Sequence, residues 1–120
     1  MAGTAIFDLD GTLVDSRADL AEAGNAARAA IGLPALRLEQ VASFVGDGVD
    51  KLIERLTPNC DAPARDEAKV AFAARYHDCC CDATRAYDGV PEALTELVAA
   101  GWTLGVATNK PMAFTVRTAF

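Results

Sequence analysis

The sequence predicts an α/β fold in which two strands of a parallel sheet are separated by a long helical insertion. The strand-like segments, residues 5–9 and 102–107, are apolar runs that each lead into polar residues. A parallel crossover needs only about a dozen residues, whereas the chain between these segments is far longer and shows helical periodicity over most of its length. We therefore expect an α/β core made of residues 1–16 and 82–120, with residues 17–81 forming an all-α unit.

Two carboxylates follow the first strand-like segment. Asp8 and Asp10 would lie at the carboxyl end of a buried parallel strand, where open α/β sheets bind ligands. Residues two apart in an extended chain point to one face with Cα atoms roughly 6.5 Å apart. Two carboxylates that close repel each other unless a cation or a shared proton lies between them. The pair therefore predicts a divalent cation site with oxygen ligands, with Mg²⁺ as the favoured ion.

Other interpretations of this pair were weighed. Aspartates after a strand also act as turn formers or helix caps, and for an isolated Asp-x-Asp-Gly that alternative stays open. A calcium loop is excluded. With Asp8 as position 1, Leu13 occupies position 6, where glycine is required, and Asp19 occupies position 12 instead of glutamate.

The sequence pattern of residues 17–81 predicts four helices. The first begins after Ser16, which forms a capping-box variant with Asp19, and it ends at Gly32 and Pro34. A short helix is predicted over residues 38–44, a third ends at residues 57–59, and a fourth runs from about Pro63 to about Cys81. Three of these helices carry residues at helical spacing that predict a buried face, a pattern typical of a helix-bundle core. These residues are Leu20, Ala23, Ala27, Ala30 and Ile31 in the first helix, Val49, Leu52, Ile53 and Leu56 in the third, and Val70, Ala73, Ala74 and His77 in the fourth.

The remaining chain predicts one crossover helix and the second strand. Residues 87–91 form a turn, and Pro91 suits the first turn of a helix that ends near Gly101. The strand of residues 102–107 then leads into Thr108-Asn109-Lys110-Pro111, and a further helix is predicted from about Met112.

Composition and charge exclude several classes of partner. The chain has 120 residues, is 52% hydrophobic and carries a net charge of −6. An acidic surface does not attract nucleic acid or an anionic membrane, so we expect neither as a partner. No apolar run approaches a membrane span of about 20 residues, and no secretory signal is visible. These features predict a soluble cytoplasmic protein, and any anionic substrate would need positive charge supplied locally by a metal and a lysine.

The cysteines do not indicate a disulfide framework or a zinc site. They lie at Cys60, Cys79, Cys80 and Cys81, and a cytosolic chain would keep them reduced. The run His77-x-Cys-Cys-Cys matches no usual structural zinc spacing. Partly buried helix cysteines are the favoured interpretation.

The run Asp-Leu-Asp-Gly-Thr-Leu-Val-Asp-Ser of residues 8–16, preceded by its apolar strand, resembles the first signature of the haloacid dehalogenase-like (HAD) hydrolases. This superfamily is rich in phosphatases. Thr108-Asn109 resembles the second signature, and helices placed after the first signature resemble the helical cap of some members. The resemblance implies a Rossmann-like parallel-sheet core, of which only two strands are present here, with an inserted all-α cap.

The resemblance also implies roles for individual residues. Asp8 would be the nucleophile that forms an aspartyl-phosphate, and Asp10 the acid that protonates the leaving group and then activates water. Mg²⁺ would be held by the Asp8 carboxylate and the Asp10 backbone carbonyl. Gly11 would let the backbone approach the phosphate, and Thr108 and Asn109 would bind the phosphoryl group. Lys110 is interpreted as a surface or helix-end residue, because the family's lysine belongs to a later signature.

Within the superfamily, residues 44–52, 87–92 and 107–111 look most like phosphoglycolate phosphatases. The implied substrate is a small phosphorylated metabolite such as 2-phosphoglycolate, with a sugar-phosphate phosphatase or a β-phosphoglucomutase-like phosphotransferase as the alternative. In the cap, Gly46, Gly48 and Lys51 are candidate substrate residues. Lys51 or Arg55 would meet a substrate carboxylate, although a solvated helix face explains them equally well.

The family's third and fourth signatures, a lysine and an acidic cluster, do not occur before Phe120. The chain therefore resembles the amino-terminal part of such a phosphatase. A third hypothesis follows, in which it is an inactive fragment that serves only as a binding or pairing module. The sequence gives no oligomeric state.

Overall fold

A computed structural model describes residues 2–79, 82–108 and 110. Asn109 and the helix expected from about Met112 lie outside this part of the chain, as do Cys80 and Cys81. The elements that follow are therefore those of the described residues.

The two predicted strands pair with each other in parallel. Strand β1 (Thr4–Phe7) lies beside strand β4 (Thr103–Val106), with Thr4 opposite Thr103 and Phe7 opposite Val106. The Ala107 N–H continues the ladder by donating to the Phe7 carbonyl at 2.8 Å. Because the strands are parallel and in register, their carboxyl ends open at the same edge of the sheet.

The first strand is less buried than its sequence predicts. Ile6 is 62% exposed and Val106 is 44% exposed. The sheet formed by the described residues has only these two strands, and the crossover helix α5 (Val90–Ala99) contributes no fully buried side chain. Among the residues that the structure describes, the strand faces therefore lack the covering layers that bury a parallel strand in a complete α/β sheet.

Four helices lie between β1 and α5 along the chain. They are α1 (Arg17–Ala30), α2 (Leu38–Ala42), α3 (Val49–Leu56) and α4 (Ala62–Cys79). Helix α1 ends as the sequence predicts. Gly32 adopts φ +79, its N–H donates to the Ala29 carbonyl, and the Leu33 N–H donates to the Arg28 carbonyl. These two bonds form the Schellman motif, which needs a left-handed residue at the glycine.

The buried core belongs to these helices. Helix α1 packs mainly against α4 and α2, and the Phe72 and Tyr76 rings lie 5.6 Å apart within α4. Fully buried side chains come from all four helices and include Leu20, Ala23, Ala27, Val41, Leu52, Ile53, Leu56, Ala68, Phe72 and Tyr76.

The predicted face of α4 is wrong. Val70 is 70% exposed, and Ala73, Ala74 and His77 are exposed as well. The buried face instead carries Phe72 and Tyr76. Both faces have helical spacing, but two aromatic rings remove far more apolar surface from water than two alanines do.

The predicted capping box at the start of α1 is also wrong. Ser16 occupies the N-cap position, but its side chain makes no capping hydrogen bond. Its hydroxyl donates to Asp10 instead. The buried Asp19 carboxylate accepts bonds from the Ala83 N–H and the Thr84 hydroxyl. Both side chains serve contacts outside the helix, which sequence spacing does not reveal.

A short antiparallel pair of strands joins the segment before α1 to the segment after α4. Strand β2 (Val14–Asp15) pairs with strand β3 (Arg85–Ala86), Val14 opposite Ala86. This pair was not predicted from the sequence, because two-residue strands carry no periodicity.

Among the described residues, no helix combines the length and apolar character required to cross a membrane. The described cysteines Cys60 and Cys79 are both free thiols. Burial raises the pKa of the Cys79 thiol.

Candidate active site

A cavity of about 50 Å³ lies at the carboxyl ends of β1 and β4, beneath the helices. Its volume exceeds the space that one water needs. One side is polar and comes from the strand ends, and the other is apolar and comes from the helical segment. The lining residues are Asp8, Asp10, Thr108 and Lys110 on the first side, and Leu20, Val45, Gly46, Gly48, Val49, Leu52, Phe72 and Tyr76 on the second.

Asp8 lies at the cavity as the first residue after β1. Its side chain is exposed, and its Oδ1 accepts the Leu9 N–H at 2.8 Å. A tight loop follows, because the Leu9 carbonyl accepts bonds from the N–H groups of Thr12, Leu13 and Val14. This loop returns the chain to the sheet edge and places Asp10 beside Asp8.

Gly11 shapes this loop but does not line the cavity. It adopts φ +81, a left-handed conformation that glycine tolerates without strain. Its N–H donates to the Val14 carbonyl at 2.9 Å. The glycine is therefore required by the turn that carries Asp10, and its role at a phosphate stays a prediction.

Asp10 is held by two donors on the same oxygen. Its Oδ1 accepts the Ser16 hydroxyl at 2.5 Å and the Lys110 ammonium at 2.9 Å. Ser16 is 2% exposed, so the first bond is shielded from water. The carboxylate is consequently fixed from the loop side and from the end of the second strand.

Lys110 contradicts its interpretation as a surface or helix-end residue. Its side chain is only 4% exposed and pairs with Asp10, and its Nζ lies 4.9 Å from the centre of the Tyr76 ring. The signal that could have found it is its position just after the second strand. Parallel strands place such residues at the edge that also carries Asp8 and Asp10.

Thr108 also lies at this edge. Its Oγ1 accepts the Lys110 N–H at 3.1 Å, a bond that leaves the proton of the hydroxyl to be donated. The structure thus brings Asp8, Asp10 and Thr108 together as the sequence predicts. Asn109 lies outside the described residues.

The three candidate substrate residues of the helical segment do not all lie at the cavity. Gly46 and Gly48 line the cavity, whereas Lys51 does not and instead pairs with Glu54 on the exposed face of α3. Arg55 contacts the loop that contains Gly46 and Gly48, donating to the Phe44 carbonyl and to Asp47. Neither basic residue of α3 reaches the cavity.

A second charged contact lies on the connection between Asp10 and the helices. Arg17 forms a two-pronged pair with Asp15, with both N···O distances at 2.8 Å. The hydrogen bond from Arg17 lowers the pKa of the Asp15 carboxyl. Asp15 belongs to β2 and Arg17 to α1, so this pair joins the strand to the first turn of the helix.

The family model of haloacid dehalogenase-like hydrolases matches residues 5–118, nearly the whole chain. The chain belongs to this family. Its sequence is 42% identical over 109 residues to a phosphoglycolate phosphatase of Chromobacterium violaceum, covering 87% of this chain and 49% of that protein. It is also 36% identical to an N-acetylmuramic acid 6-phosphate phosphatase of Pseudomonas aeruginosa, over 91% of this chain and 49% of that relative.

Solved structures agree on the fold. The crystal structure of a predicted phosphoglycolate phosphatase from Haemophilus somnus superposes with a TM-score of 0.88 at 33% identity, covering 99% of this chain and 56% of that one. The chain therefore spans about half the length of the curated relatives it matches. The HAD-like α/β fold is shown, and the resemblance to the amino-terminal part of such proteins agrees with this coverage.

Proposed function

We propose that this chain carries the nucleophile and the acid–base residue of a Mg²⁺-dependent phosphomonoesterase. The observation that carries the proposal is the convergence of Asp8, Asp10 and Thr108 on one cavity at the strand ends. Phosphoryl transfer is catalysed mainly by positioning and by neutralising charge. A cavity with an exposed carboxylate, a fixed carboxylate and a hydroxyl donor supplies groups suited to these tasks.

In the proposed reaction, an Asp8 oxygen attacks phosphorus in line and the bond from phosphorus to the ester oxygen breaks. Asp10 gives its proton to the departing alkoxide, so that an alcohol leaves. Water then attacks the aspartyl-phosphate while Asp10 takes the water's proton. Phosphate departs, and the Asp8 carboxylate is restored. Dividing the displacement in two is the benefit of a covalent intermediate, and acid–base help contributes about 10²–10⁴-fold.

The donor set of the cavity fits Mg²⁺. This ion uses one or two carboxylates together with substrate phosphate oxygens, and the lining offers the Asp8 carboxylate. Within the described residues no group of three or more His, Cys, Asp or Glu is placed to hold a metal. The Asp8 carboxylate and the Asp10 backbone carbonyl would hold the ion, which when bound neutralises phosphoryl charge.

The proposed substrate is a small phosphorylated metabolite, with 2-phosphoglycolate first. The naming of the Chromobacterium violaceum relative at 42% identity supports this choice. A sugar phosphate is the second candidate, supported by the N-acetylmuramic acid 6-phosphate phosphatase at 36% identity. We also propose that residues 17–81 act as a cap, since α1, α3 and α4 supply the apolar side of the cavity.

A phosphate-release assay tests the proposal. The purified protein is supplied with 2-phosphoglycolate, sugar 6-phosphates and β-glucose 1-phosphate, with Mg²⁺ or with EDTA. We expect Mg²⁺-dependent release of phosphate, and a loss of at least about 10³-fold in Asp8→Asn, because the amide cannot act as the nucleophile. The matched control is Asp66→Asn on the exposed side of α4, which should leave the rate unchanged.

Each result separates the hypotheses. Undiminished release in Asp8→Asn would contradict the proposed chemistry. Conversion of β-glucose 1-phosphate without free phosphate would favour the phosphotransferase, and a folded protein that turns over none of these esters would favour the binding-only fragment.

A further inference from the structure

We propose that Lys110 is a positioning residue that orients the Asp10 carboxylate for proton transfer, an inference that rests on the proposed function. Lys110 and Ser16 both bind Oδ1 of Asp10. Within the part of the chain that the structure describes, Oδ2 accepts no hydrogen bond. The two donors thus hold Oδ1 in place, and Oδ2 is left as the oxygen that carries the transferred proton.

The Lys110–Asp10 pair differs from the other described ion pairs in its burial. The two side chains are 4% and 14% exposed, whereas every other described pair has both side chains at least 32% exposed. Exposed pairs are weakened by solvent and rarely hold a geometry. A pair shielded from water interacts more strongly, and removing one member leaves the other buried without compensation.

The surroundings of the ammonium explain why it stays on Asp10. The Nζ lies 4.9 Å from the centre of the Tyr76 ring, close enough for a cation–π interaction. The ring packs against Phe72 in the helical core and has little freedom to move. Lys110 is therefore held between the strand-end carboxylate and a rigid aromatic side chain.

This arrangement links the orientation of Asp10 to the helices. One donor, Ser16, directly precedes α1, and the other, Lys110, is held against α4. Movement of the helical segment away from the strand ends would remove the aromatic support of Lys110. Asp10 would then lose one of its two constraints, and proton transfer would become less effective when the cavity is open.

Two substrates with different leaving groups distinguish a positioning role of Lys110 from a role in substrate binding. An alkyl phosphate such as 2-phosphoglycolate needs a proton on its departing oxygen, whereas p-nitrophenolate leaves without one. In Lys110→Met we expect kcat/KM, which reports the steps up to release of the alcohol, to fall by about 10–100-fold with 2-phosphoglycolate, part of the acid–base contribution. With p-nitrophenyl phosphate kcat/KM should change less than about 3-fold. The later hydrolysis of the aspartyl-phosphate uses Asp10 with both substrates, so kcat does not separate the two roles. Lys110→Arg, which retains the charge, should recover most of the alkyl-ester rate.

The matched control is Lys69→Met, which removes an exposed lysine of α4 that pairs with Asp50 and should leave both rates unchanged. If Lys110→Met lowers kcat/KM equally for the two substrates, Lys110 binds substrate and the proposal is overturned. If Lys110→Met does not fold by circular dichroism, Lys110→Gln takes its place and the same comparison with Lys110→Arg decides.

A second measurement does not depend on activity. The side-chain carboxyl carbons of the aspartates are observed by ¹³C NMR in the metal-free protein, with the Asp10 signal assigned through Asp10→Asn. We expect Lys110→Met to shift the Asp10 signal far more than that of Asp66, and Lys69→Met to leave it in place. An unshifted Asp10 signal overturns the inference. A wild-type protein that releases no phosphate but shows the expected shift contradicts the proposed function and leaves the Lys110–Asp10 contact supported.

Discussion

The helical segment (α1–α4) and the strand segment (β1, β4 and α5) of this protein differ in how many of their side chains are buried. The helices α1–α4 contain the buried core cluster, while every residue of β1 and β4 is exposed or half-buried and α5 has no fully buried residue. Yet the strand ends carry Asp8, Asp10, Thr108 and Lys110. The part of the described chain with most of the apolar packing is therefore separate from the part with the proposed catalytic groups, and the cavity lies where they meet.

The comparison teaches that stability and chemistry should respond to different substitutions. Loss of a core side chain in α4 should change the free energy of unfolding, whereas equal truncation in α5 should not. Changes at the strand ends and their connections should alter turnover more than stability. Four experiments test this contrast.

Truncation of the aromatic core should give the largest loss of stability. Phe72 is 1% exposed, so Phe72→Ala should lower the free energy of unfolding by about 3–5 kcal/mol through lost burial and a new cavity. Urea denaturation followed by circular dichroism measures this change. The control is Val98→Ala in α5, where a side chain 59% exposed should cost less than about 0.5 kcal/mol. Equal losses in the two variants would show that the strand segment has a core of its own.

Removal of the Asp19 carboxylate should weaken the junction between α1 and the segment that returns to the sheet. Asp19 is 4% exposed and accepts the Ala83 N–H and the Thr84 hydroxyl. Asp19→Ala leaves those donors without their acceptor and should cost about 1–3 kcal/mol, measured by the same denaturation. Asp66→Ala, an exposed carboxylate on α4, should stay within about 0.5 kcal/mol of the parent. Similar stability of Asp19→Ala would mean that these contacts do not hold the junction.

Two glycines with almost the same backbone angle separate stability from chemistry. Gly11 has φ +81 and Gly32 has φ +79, and a Cβ at either would meet no atom within 4 Å. Alanine at each should therefore cost about 1–2 kcal/mol from backbone strain alone. Only Gly11→Ala should also lower kcat, by about tenfold or more, because its loop carries Asp10 and small misplacements slow catalysis. Thermal melts and initial rates test both variants, and equal kcat in the two would contradict the role of the loop.

Breaking an exposed ion pair should have the smallest effect. Arg75 and Glu22 join α4 to α1 at 2.7 Å, with side chains 45% and 57% exposed. Arg75→Ala should lower the free energy of unfolding by less than about 1 kcal/mol. A double-mutant cycle with Glu22→Ala isolates the pair, and its coupling should decrease in about 1 M salt. A large coupling that resists salt would show that surface charge, and not the buried core, joins these helices.

Much of the site was predictable because its signals are local. The apolar run before Asp8, the glycine between the aspartates and the turn, and the polar residues after the second strand are each contained in a few consecutive residues. Parallel pairing then brings Thr108 to the same edge as Asp8 and Asp10. Helix ends were predictable for the same reason, as Gly32 shows.

Other features depended on which surfaces meet. The face of α4 was misassigned because Val70, Ala73 and Ala74 repeat at the same spacing as Phe72 and Tyr76, and only packing against α1 distinguishes them. Ser16 and Asp19 have the spacing of a capping box, yet each finds a partner outside the helix. Local pattern gives a side chain several compatible partners, and the fold selects one of them.

Short-range periodicity and turn chemistry in the amino-acid sequence were enough to predict strands β1 and β4, the helical insertion and the two aspartates. The tertiary structure decided the environment of Asp10. Lys110 lies 100 residues away along the chain and reaches Asp10 only because β1 and β4 pair in parallel and α4 lies over their ends. Contacts across such separations are set by packing and desolvation, which no stretch of sequence encodes alone.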